Sequence, residues 1–333
     1  MRMKIVLLII CSFWTTVECV AQDSYSKEYR NALRYGANVK ITLKVSAPGI
    51  GPVTNATVNA FFEQRDGNQY KEEGATDALG ICTVDGMTRS SVAVSIIKDG
   101  FYRSVIRLPF ATGQERIEGS RWLPWNPTIP VVLREVRKPI PMYVKRFDGK
   151  LANGMTAGFD CETGDFLPPH GNGKTADFTI TLTGSGVAMK KTRHTLQMAS
   201  LDPAGGFHVA KLHQQSAFKS DYQAPQQGYS TNVFAEMEYD SSRGVSGSPV
   251  FQSNEYIAFK SRIKRDADGS IIGAHYGKFY SGIEFMRGLG EYVGVGFLYY
   301  FNPTPNDRNL EFDGKNNLFK PGWNSKLNWS REP

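Results

Sequence analysis

Four acidic residues form the cluster whose types and spacing could most directly support chemistry. Asp160, Glu162 and Asp165 fall within six consecutive positions, and Asp177 follows twelve positions later. Asp160, Glu162 and Asp165 could be ligands of Ca²⁺, a hard cation that prefers oxygen. Alternatively, two carboxylates between residues 160 and 177 could form a hydrolase pair, which in glycosidases stands roughly 5–10 Å apart across a cleft. Aspartate also stabilises turns through its own side chain, so a structural role is the third interpretation.

Two tryptophans and one arginine lie in proline-rich segments and are candidate binding residues. Trp122 and Trp125 precede the last predicted strand of the first domain. Exposed aromatic rings on a rigid loop can stack on sugars or anchor a protein, although large aromatics also pack into interfaces between domains. Arg308 could clamp a carboxylate of a ligand or pair with Asp307 or Glu311.

The segment 244–250, Gly-Val-Ser-Gly-Ser-Pro-Val, resembles the nucleophile loop of chymotrypsin-like serine proteases. Val245 stands where that family has aspartate. A serine nucleophile also needs a histidine base and an orienting carboxylate. The first histidine of the chain, His170, lies only 76 positions before Ser246, which leaves no room for the β-barrel that carries the base. A glycine- and serine-rich loop leading into a strand is the preferred interpretation.

The other histidines give no support to a zinc enzyme. His208 and His213 are five positions apart in a predicted strand, so the period of two places them on opposite faces. The chain contains no His-Glu-x-x-His motif, which would place two zinc ligands on one helical face.

Length and composition predict a two-domain, all-β protein. The 333 residues exceed what one hydrophobic core usually serves. Glycine (33 residues) and proline (17 residues) separate short runs of Val, Ile, Thr, Tyr and Phe, as in proteins built from strands. The net charge is +7, but the basic residues are scattered, so we expect no nucleic-acid partner and at most a mild attraction to anionic envelope surfaces.

Residues 1–21 have the pattern of a signal peptide. Arg2 and Lys4 precede a short apolar run, and small residues stand before a cleavage site at Gln22. That run is shorter than the roughly 20 apolar residues that span a bilayer. Cys11 could alternatively be a lipoprotein cysteine, but Ile10 before it is not small. We expect export to the periplasm, the cell surface or the medium, without a transmembrane segment.

Two cysteines remain after removal of this leader. Cys82 and Cys161 belong to different predicted domains, so a disulfide would connect the domains, and an oxidising compartment permits one. Free buried cysteine is also a common small hydrophobic residue, so both states stay open.

The first domain is predicted over residues 22–137. Val39 to Val45 alternate apolar and polar residues, as does the run from Ala56 to Phe62, and both patterns are typical of strands with one buried face. Residues 26–35 could form a helix that Gly36 ends. Residues 98–100, Lys-Asp-Gly, predict a tight hairpin between two strands. A closing strand is predicted at residues 128–133.

The second domain is predicted over residues 138–333. Pro139 and Pro141 mark its start, because two alternate prolines favour an extended connector. The following strands are predicted from their composition: 142–146, 177–182, 206–211, 231–239, 257–264, 270–280 and 293–301. Residues 265–269 are predicted to be a hairpin loop, and residues 302–319 a polar, turn-rich tail.

Residues 52–102 resemble the carboxypeptidase regulatory-like domain, a transthyretin-like β-sandwich. Three motifs carry the resemblance: Pro-Val-x-x-Ala-x-Val at 52–58, Thr-Asp-x-x-Gly at 76–80 and Lys-Asp-Gly-Phe-Tyr at 98–102. The resemblance implies an accessory, non-catalytic module. The second half is similar to secreted bacterial proteins that pair it with such a domain, and this similarity transfers no activity.

These observations predict two tandem β-sandwich domains, the first transthyretin- or immunoglobulin-like. We expect an exported, non-catalytic protein that binds a protein or a glycan at the cell envelope. The alternative is an extracellular hydrolase that acts on polysaccharide or peptide through carboxylates near residues 160–177. We expect no cofactor other than the Ca²⁺ described above.

Overall fold

The computed structural model describes residues 25–64, 67, 69–113, 116–187, 190–248, 254–286, 291–319 and 333. The predicted leader and the predicted cleavage site at Gln22 lie outside these residues. Within them, the chain folds into 24 strands and one helix, so the prediction of an all-β protein is confirmed.

The helix α1 (Lys27–Tyr35) forms where the sequence predicts it. The Ser26 side chain accepts a hydrogen bond from the backbone N–H of Tyr29, which caps the first turn. Gly36 ends the helix with a φ of 91°, a value that favours glycine. Tyr29 and Ala32 are buried against the first core. No helix among the described residues is long and apolar enough to cross a membrane.

The first half of the chain contains twelve strands. These are β1 (Ala37–Ala47), β2 (Gly51–Pro52), β3 (Thr57–Glu63), β4 (Gln69–Ala75), β5 (Ile81–Thr88), β6 (Ser91–Ile97), β7 (Phe101–Tyr102), β8 (Ser104–Pro109), β9 (Ile117–Glu118), β10 (Arg121–Trp122), β11 (Thr128–Val132) and β12 (Arg134–Glu135). In sheet I, β1 pairs with β2 and β5 and with β10 and β11, and β9 follows β10. Sheet II has the order β4-β3-β6-β8.

The first core lies between sheets I and II. Val39, Ile41 and Leu43 of β1 are at most 1 % exposed and alternate with more exposed residues, as the period of two predicts. The predicted hairpin is present, with Gly100 at a φ of 80°. However, β6 pairs with β8, whereas the intervening β7 turns away and pairs with β12. As a result, Tyr102 at the end of β7 lies beside the second half of the chain.

The second half also contains twelve strands. These are β13 (Ile140–Ala152), β14 (Thr156–Asp160), β15 (Asp165–Phe166), β16 (Phe178–Val187), β17 (Lys191–Ser200), β18 (Gly206–Lys211), β19 (Asn232–Asp240), β20 (Gly244–Ser248), β21 (Glu255–Arg265), β22 (Ile271–Met286), β23 (Tyr292–Asn302) and β24 (Phe312–Asn317). Sheet III has the order β18-β21-β22-β23-β13-β24, and sheet IV the order β15-β14-β16-β17-β19-β20. The sequence did not indicate β14, β15, β17, β20 or β24.

Sheet III is covered on both faces. Between sheets III and IV lies a core of tightly packed phenylalanines; for example, the ring centroids of Phe147 and Phe159 are 4.7 Å apart. The opposite face of sheet III carries a second core that includes Tyr256, Tyr280 and Tyr300. Lys278 of β22 lies on this second face, between Tyr276 and Tyr280.

Several local predictions can be compared with the fold. Residues of the first core lie between 29 and 133, and those of the other two cores start at 142. Pro141 lies inside β13, where the pairing with β24 is irregular. The tail predicted to be polar buries Leu310 and Phe312. Cys82 and Cys161 are free thiols, each buried in a different core, so no disulfide joins the halves.

Candidate functional site

The predicted acidic cluster surrounds an arginine. Arg262 of β21 contacts Asp160 (Nη2 to Oδ1, 3.0 Å), Glu162 (Nη1 to Oε1, 2.6 Å) and Asp177 (Nε to Oδ1, 2.9 Å). Its Nη2 also lies 3.0 Å from Oδ2 of Asp177, so that pair is bidentate. Asp177 additionally accepts a hydrogen bond from the hydroxyl of Ser261. The cluster therefore already contains its cation.

The backbone at Arg262 shows how firmly this arrangement is held. Arg262 has a φ of 49° and lies where the pairing of β21 with β22 shifts register. A positive φ costs a residue other than glycine of the order of 1–3 kcal/mol, and it persists only where surrounding contacts fix it. The ion pairs with three carboxylates supply such contacts.

Asp160 is a structural carboxylate. Burial would raise its pKa, but hydrogen bonds, first from the backbone N–H of Lys174 and then from Thr163 and Thr175, outweigh burial and lower the pKa below its usual value. A carboxyl group held ionised in this way cannot serve as a general acid near neutral pH.

The predicted calcium ligands and hydrolase pair are therefore corrected. Asp160 and Glu162 point at the Arg262 guanidinium, whose positive charge stands where Ca²⁺ was predicted. Asp165 lies directly opposite Asp160 in the pairing of β14 with β15, but its carboxylate accepts hydrogen bonds from the backbone N–H groups of Phe166 and Asn172 instead. Within the described ranges, no cluster of acidic, histidine and cysteine residues is arranged to hold a metal ion.

The two tryptophans have different environments. Trp122 is 0 % exposed, and its Nε1–H donates to the carbonyl oxygen of Thr88 at 2.7 Å, so it is a core residue and cannot bind a ligand as predicted. Trp125 is 40 % exposed, with the Arg121 guanidinium 4.9 Å from its ring centroid. Trp125 thus remains a surface aromatic.

Arg308 is not available as a clamp for a ligand. Its Nη1 donates to the carbonyl oxygen of Ala224 at 3.0 Å and its Nη2 to Oε1 of Gln223 at 2.8 Å. It thereby connects residues 223–224 to the segment after β23. The sequence suggested a pair with Asp307 or Glu311, but Arg308 forms neither pair.

The segment 244–250 is strand rather than a catalytic loop over its described part. Its residues 244–248 form β20, which pairs with β19, and Ser246 lies opposite Glu238. Residues 249–250 lie outside the described residues.

A cleft lies where the two halves meet. The segment 213–217 runs along β8, where the backbone N–H of Val105 donates to the Gln215 carbonyl oxygen at 2.7 Å. On one side is a cavity of about 400 Å³, with Arg103, Lys219 and Pro333 in its wall. On the other side is a cavity of about 170 Å³, with Arg134 and His213 in its wall. Cationic and amide side chains stand in the walls of both cavities, together with Ser216 and apolar residues such as Val105 and Val132.

Arg134 of β12 is a buried cation at this joint. It is 6 % exposed and donates to the carbonyl oxygens of Phe218, at 2.7 Å, and of Ser220. Its guanidinium lies 4.5 Å from the ring centroids of both Phe218 and Tyr222. Burial lowers the pKa of Arg134. No carboxylate in the described part of the chain forms an ion pair with it.

Lys278 of β22 is a second buried basic side chain. It is fully buried, and its Nζ donates to the hydroxyl groups of Tyr280 at 2.9 Å and Ser220 at 3.1 Å. Phe218, Tyr280 and Tyr300 place their rings within 4.9 Å of Nζ. Burial, followed by the nearby charge of Arg134, lowers the pKa of Lys278 well below its usual value.

The carboxylates near these two basic side chains are engaged elsewhere. Glu311 accepts hydrogen bonds from the Tyr102 hydroxyl and from the backbone N–H groups of Arg137 and Lys138. Asp221 lies 3.0 Å from Nε2 of His213, and this contact is the main cause that lowers the pKa of Asp221. Neither carboxylate forms an ion pair with Arg134 or Lys278.

Tyr280 connects Lys278 to the cleft. Its hydroxyl contacts Nζ of Lys278 and also donates to the main-chain oxygen of Pro333 at 3.4 Å, and Pro333 lines the larger cavity. Burial raises the pKa of Tyr280, so the hydroxyl remains protonated at neutral pH. Lys278 therefore stands one hydrogen bond behind the cleft wall.

The sequence interpretation missed Arg134, Arg262 and Lys278. For Lys278 a signal was present, because Tyr276, Lys278 and Tyr280 fall on one face of a predicted strand and both tyrosines are large enough to be core residues. A lysine in that register is unusual in a buried row.

Comparisons with known proteins assign no family. No family model and no curated protein matches the sequence. Among solved structures, 3-chlorocatechol 1,2-dioxygenase from Rhodococcus opacus 1CP aligns with 34 % of this chain and 62 % of its own, at 12 % identity and a TM-score of 0.25. The chain thus matches less than two thirds of that enzyme.

Two pilins align over more of the chain. BcpA, the major pilin subunit of Bacillus cereus, aligns with 80 % of this chain and 85 % of its own, at 11 % identity and a TM-score of 0.22. The shaft pilin of Lactobacillus rhamnosus GG aligns with 73 % and 93 %, at 10 % identity and a TM-score of 0.22. At such TM-scores these similarities identify neither a family nor an activity.

Proposed function

We propose that the protein is a non-catalytic binding protein, secreted or held at the bacterial envelope, whose cleft binds an anionic group of a protein or a glycan. One observation carries the proposal: Arg134 and Lys278 are buried beside a cationic cleft and have no ion-pair partner within the described ranges. A carboxylate or phosphate of the ligand is the shared chemistry that would complement them.

The physical reason is the cost of burying unpaired charge. Removing a cation from water is unfavourable unless opposite charge or hydrogen bonds compensate it. Elsewhere the same chain surrounds a part-buried arginine, Arg262, with three carboxylates. An anion bound in the cleft would supply this compensation to Arg134 and would favour protonation of Lys278, whose pKa burial lowers, and the low local dielectric would strengthen the attraction.

Two further observations support binding without catalysis. The carboxylates that could have formed a hydrolase pair are neutralised by Arg262. The resemblance of residues 52–102 to a regulatory-like domain also favours an accessory role. The proposed localisation rests on the leader pattern at residues 1–21.

The test measures binding of four fluorescent probes by anisotropy: an acidic peptide, an oligogalacturonate, and a neutral counterpart of each. We expect an anionic probe to bind and its neutral counterpart not to bind. Arg103→Glu should weaken binding about tenfold, the loss of about 1.4 kcal/mol. Arg107→Glu is the matched control, because Arg107 is exposed on β8, the strand that directly follows Arg103, but does not line the cleft.

The two anionic probes distinguish a protein ligand from a glycan ligand. The proposal fails if neither anionic probe binds, if neutral probes bind equally well, or if both charge reversals have the same effect.

A further inference from the structure

The outer face of sheet IV carries a row of side chains that crosses four strands. Thr156 of β14 lies opposite Thr181 of β16, Thr181 lies opposite Gln197 of β17, and Gln197 lies opposite Phe234 of β19. Directly opposed residues point to the same face, and neighbouring strands are about 4.8 Å apart. The four side chains therefore form a straight, evenly spaced line.

This row faces solvent. Thr156 and Gln197 are exposed, Thr181 is half-buried, and Phe234 is 55 % exposed. The next residues along β16 and β17, Ile180 and Leu196, are fully buried and point into the core, as alternation requires.

The row is uncharged, and the charges beside it are paired with one another. Arg193 contacts Glu236 at 2.6 Å, and Lys191 contacts Glu238 at 2.7 Å. Each of these pairs joins neighbouring strands β17 and β19 on the same outer face. The surface thus offers hydroxyl and amide groups without a net ionic attraction, unlike the cleft between the halves.

Phe234 completes the pattern with an exposed aromatic ring. Phe234 belongs to β19, the last strand of this row, and the described pairing of β19 with β20 covers Glu236 to Asp240. Aromatic faces stack on the apolar face of a sugar ring, and threonine and glutamine side chains can both donate to and accept from sugar hydroxyls. Gln197 already donates to Asn232 at 3.1 Å, which fixes the amide beside the ring.

We infer that this row binds a neutral polysaccharide, with one sugar unit stacked on Phe234 and the following units lying across the strands over Gln197, Thr181 and Thr156. The spacing of the strands repeats along the row, so a repeating chain can make the same type of contact at each strand. The site is separate from the cleft and stands independently of the function proposed for it, since no cleft-lining residue belongs to sheet IV.

The test is affinity electrophoresis of the full chain in gels that contain hydroxyethylcellulose, laminarin or dextran. We expect at least one of these neutral polysaccharides to retard the protein. Phe234→Ala should weaken this retardation about tenfold in apparent affinity. Phe234→Trp should preserve it, and Thr181→Val, which keeps the shape and removes the hydroxyl, should weaken it.

Tyr70→Ala is the matched control, since Tyr70 is 56 % exposed on β4, away from sheet IV. Thermal unfolding of each variant verifies that it remains folded. Binding at the row should also persist at high salt, because salt screens ionic but not uncharged contacts. The inference fails if no neutral polysaccharide retards the protein, if Tyr70→Ala and Phe234→Ala have equal effects, or if salt abolishes the retardation.

Discussion

Two groups of basic side chains differ in how their charge is balanced: Arg262 in the acidic cluster, and Arg134 with Lys278 at the joint between the halves. Arg262 is in contact with Asp160, Glu162 and Asp177. Lys278 and Arg134 are more deeply buried, yet they contact hydroxyl groups, carbonyl oxygens and aromatic rings. In the first arrangement carboxylates contact the cation directly, whereas in the second no carboxylate of the described residues forms an ion pair with either basic group.

This difference separates residues that hold the fold together from residues that are available to a ligand. A compensated ion cluster gains nothing from an added anion, since its charges already attract one another. A buried cation without an ion-pair partner can recover, by contact with an anion, free energy of hydration that it lost on burial. Mutations at the two regions should therefore affect stability to very different degrees.

The largest effect is expected at the acidic cluster. Arg262→Met should lower the free energy of unfolding by about 3–5 kcal/mol, because it leaves the buried Asp160 and Asp177 without their counter-charge. Urea denaturation measures the change. Arg265→Met is the control, since Arg265 pairs with Asp202 at the surface and its removal should lower the free energy of unfolding far less. Equal costs for both variants would remove the distinction between the two regions.

An intermediate effect is expected at Arg134. Arg134→Met removes the donor to the carbonyl oxygens of Phe218 and Ser220, and an unsatisfied buried acceptor costs about 1–3 kcal/mol. Hydrogen exchange should also increase in residues 215–220, which these bonds hold against the first half. Arg137→Met is the control, because exposed Arg137 stacks on the same Tyr222 ring at 3.9 Å without bonding a buried carbonyl. If Arg137→Met lowers the free energy of unfolding equally, the contact with the Tyr222 ring stabilises the joint between the halves, and the hydrogen bonds of Arg134 do not.

Local features of the fold could be predicted from the sequence because their causes are local. The cap at Ser26, the helix end at Gly36 and the alternation of Val39, Ile41 and Leu43 depend on residues a few positions apart. The hairpin loop at 265–269 also forms as predicted, with Asp266 accepting a hydrogen bond from the backbone N–H of Ser270.

The candidate site could not be predicted because its partners are distant in sequence. Arg262 is 85 positions from Asp177 and 102 from Asp160, so the acidic cluster gave no sign of its own counter-charge. Trp122 was a candidate binding residue because it lies in a proline-rich segment, with packing at a domain interface as the alternative. It is buried because Tyr29 of α1 packs edge-on against its ring at 5.9 Å, and no local pattern encodes that contact.

The smallest effect on stability is expected at Lys278, and its sign distinguishes it from Arg262. Lys278→Met removes a buried amine that has no ion-pair partner in the described ranges, and Met fills similar space. Tyr280 and Ser220 keep a hydrogen bond to each other, from the Ser220 backbone N–H to the Tyr280 hydroxyl at 2.8 Å. At pH 7 we expect the variant to be as stable as the wild type or more stable, in contrast to the loss at Arg262.

The pH dependence of this difference follows from the lowered pKa of Lys278. Between the lowered pKa of the folded state and the ordinary value of 10.5, the unfolded chain binds a proton at Lys278 that the folded chain does not. The wild type therefore gains stability as the pH rises through this window, by at most about 1.4 kcal/mol per pH unit, and Lys278→Met lacks this gain. Urea denaturation between pH 7 and 9.5 should show the advantage of the variant shrinking, while Lys264→Met, at an exposed position, should follow the wild type. A variant that is several kcal/mol less stable at pH 7, with a pH profile parallel to the wild type, would mean that Lys278 is charged and compensated like Arg262.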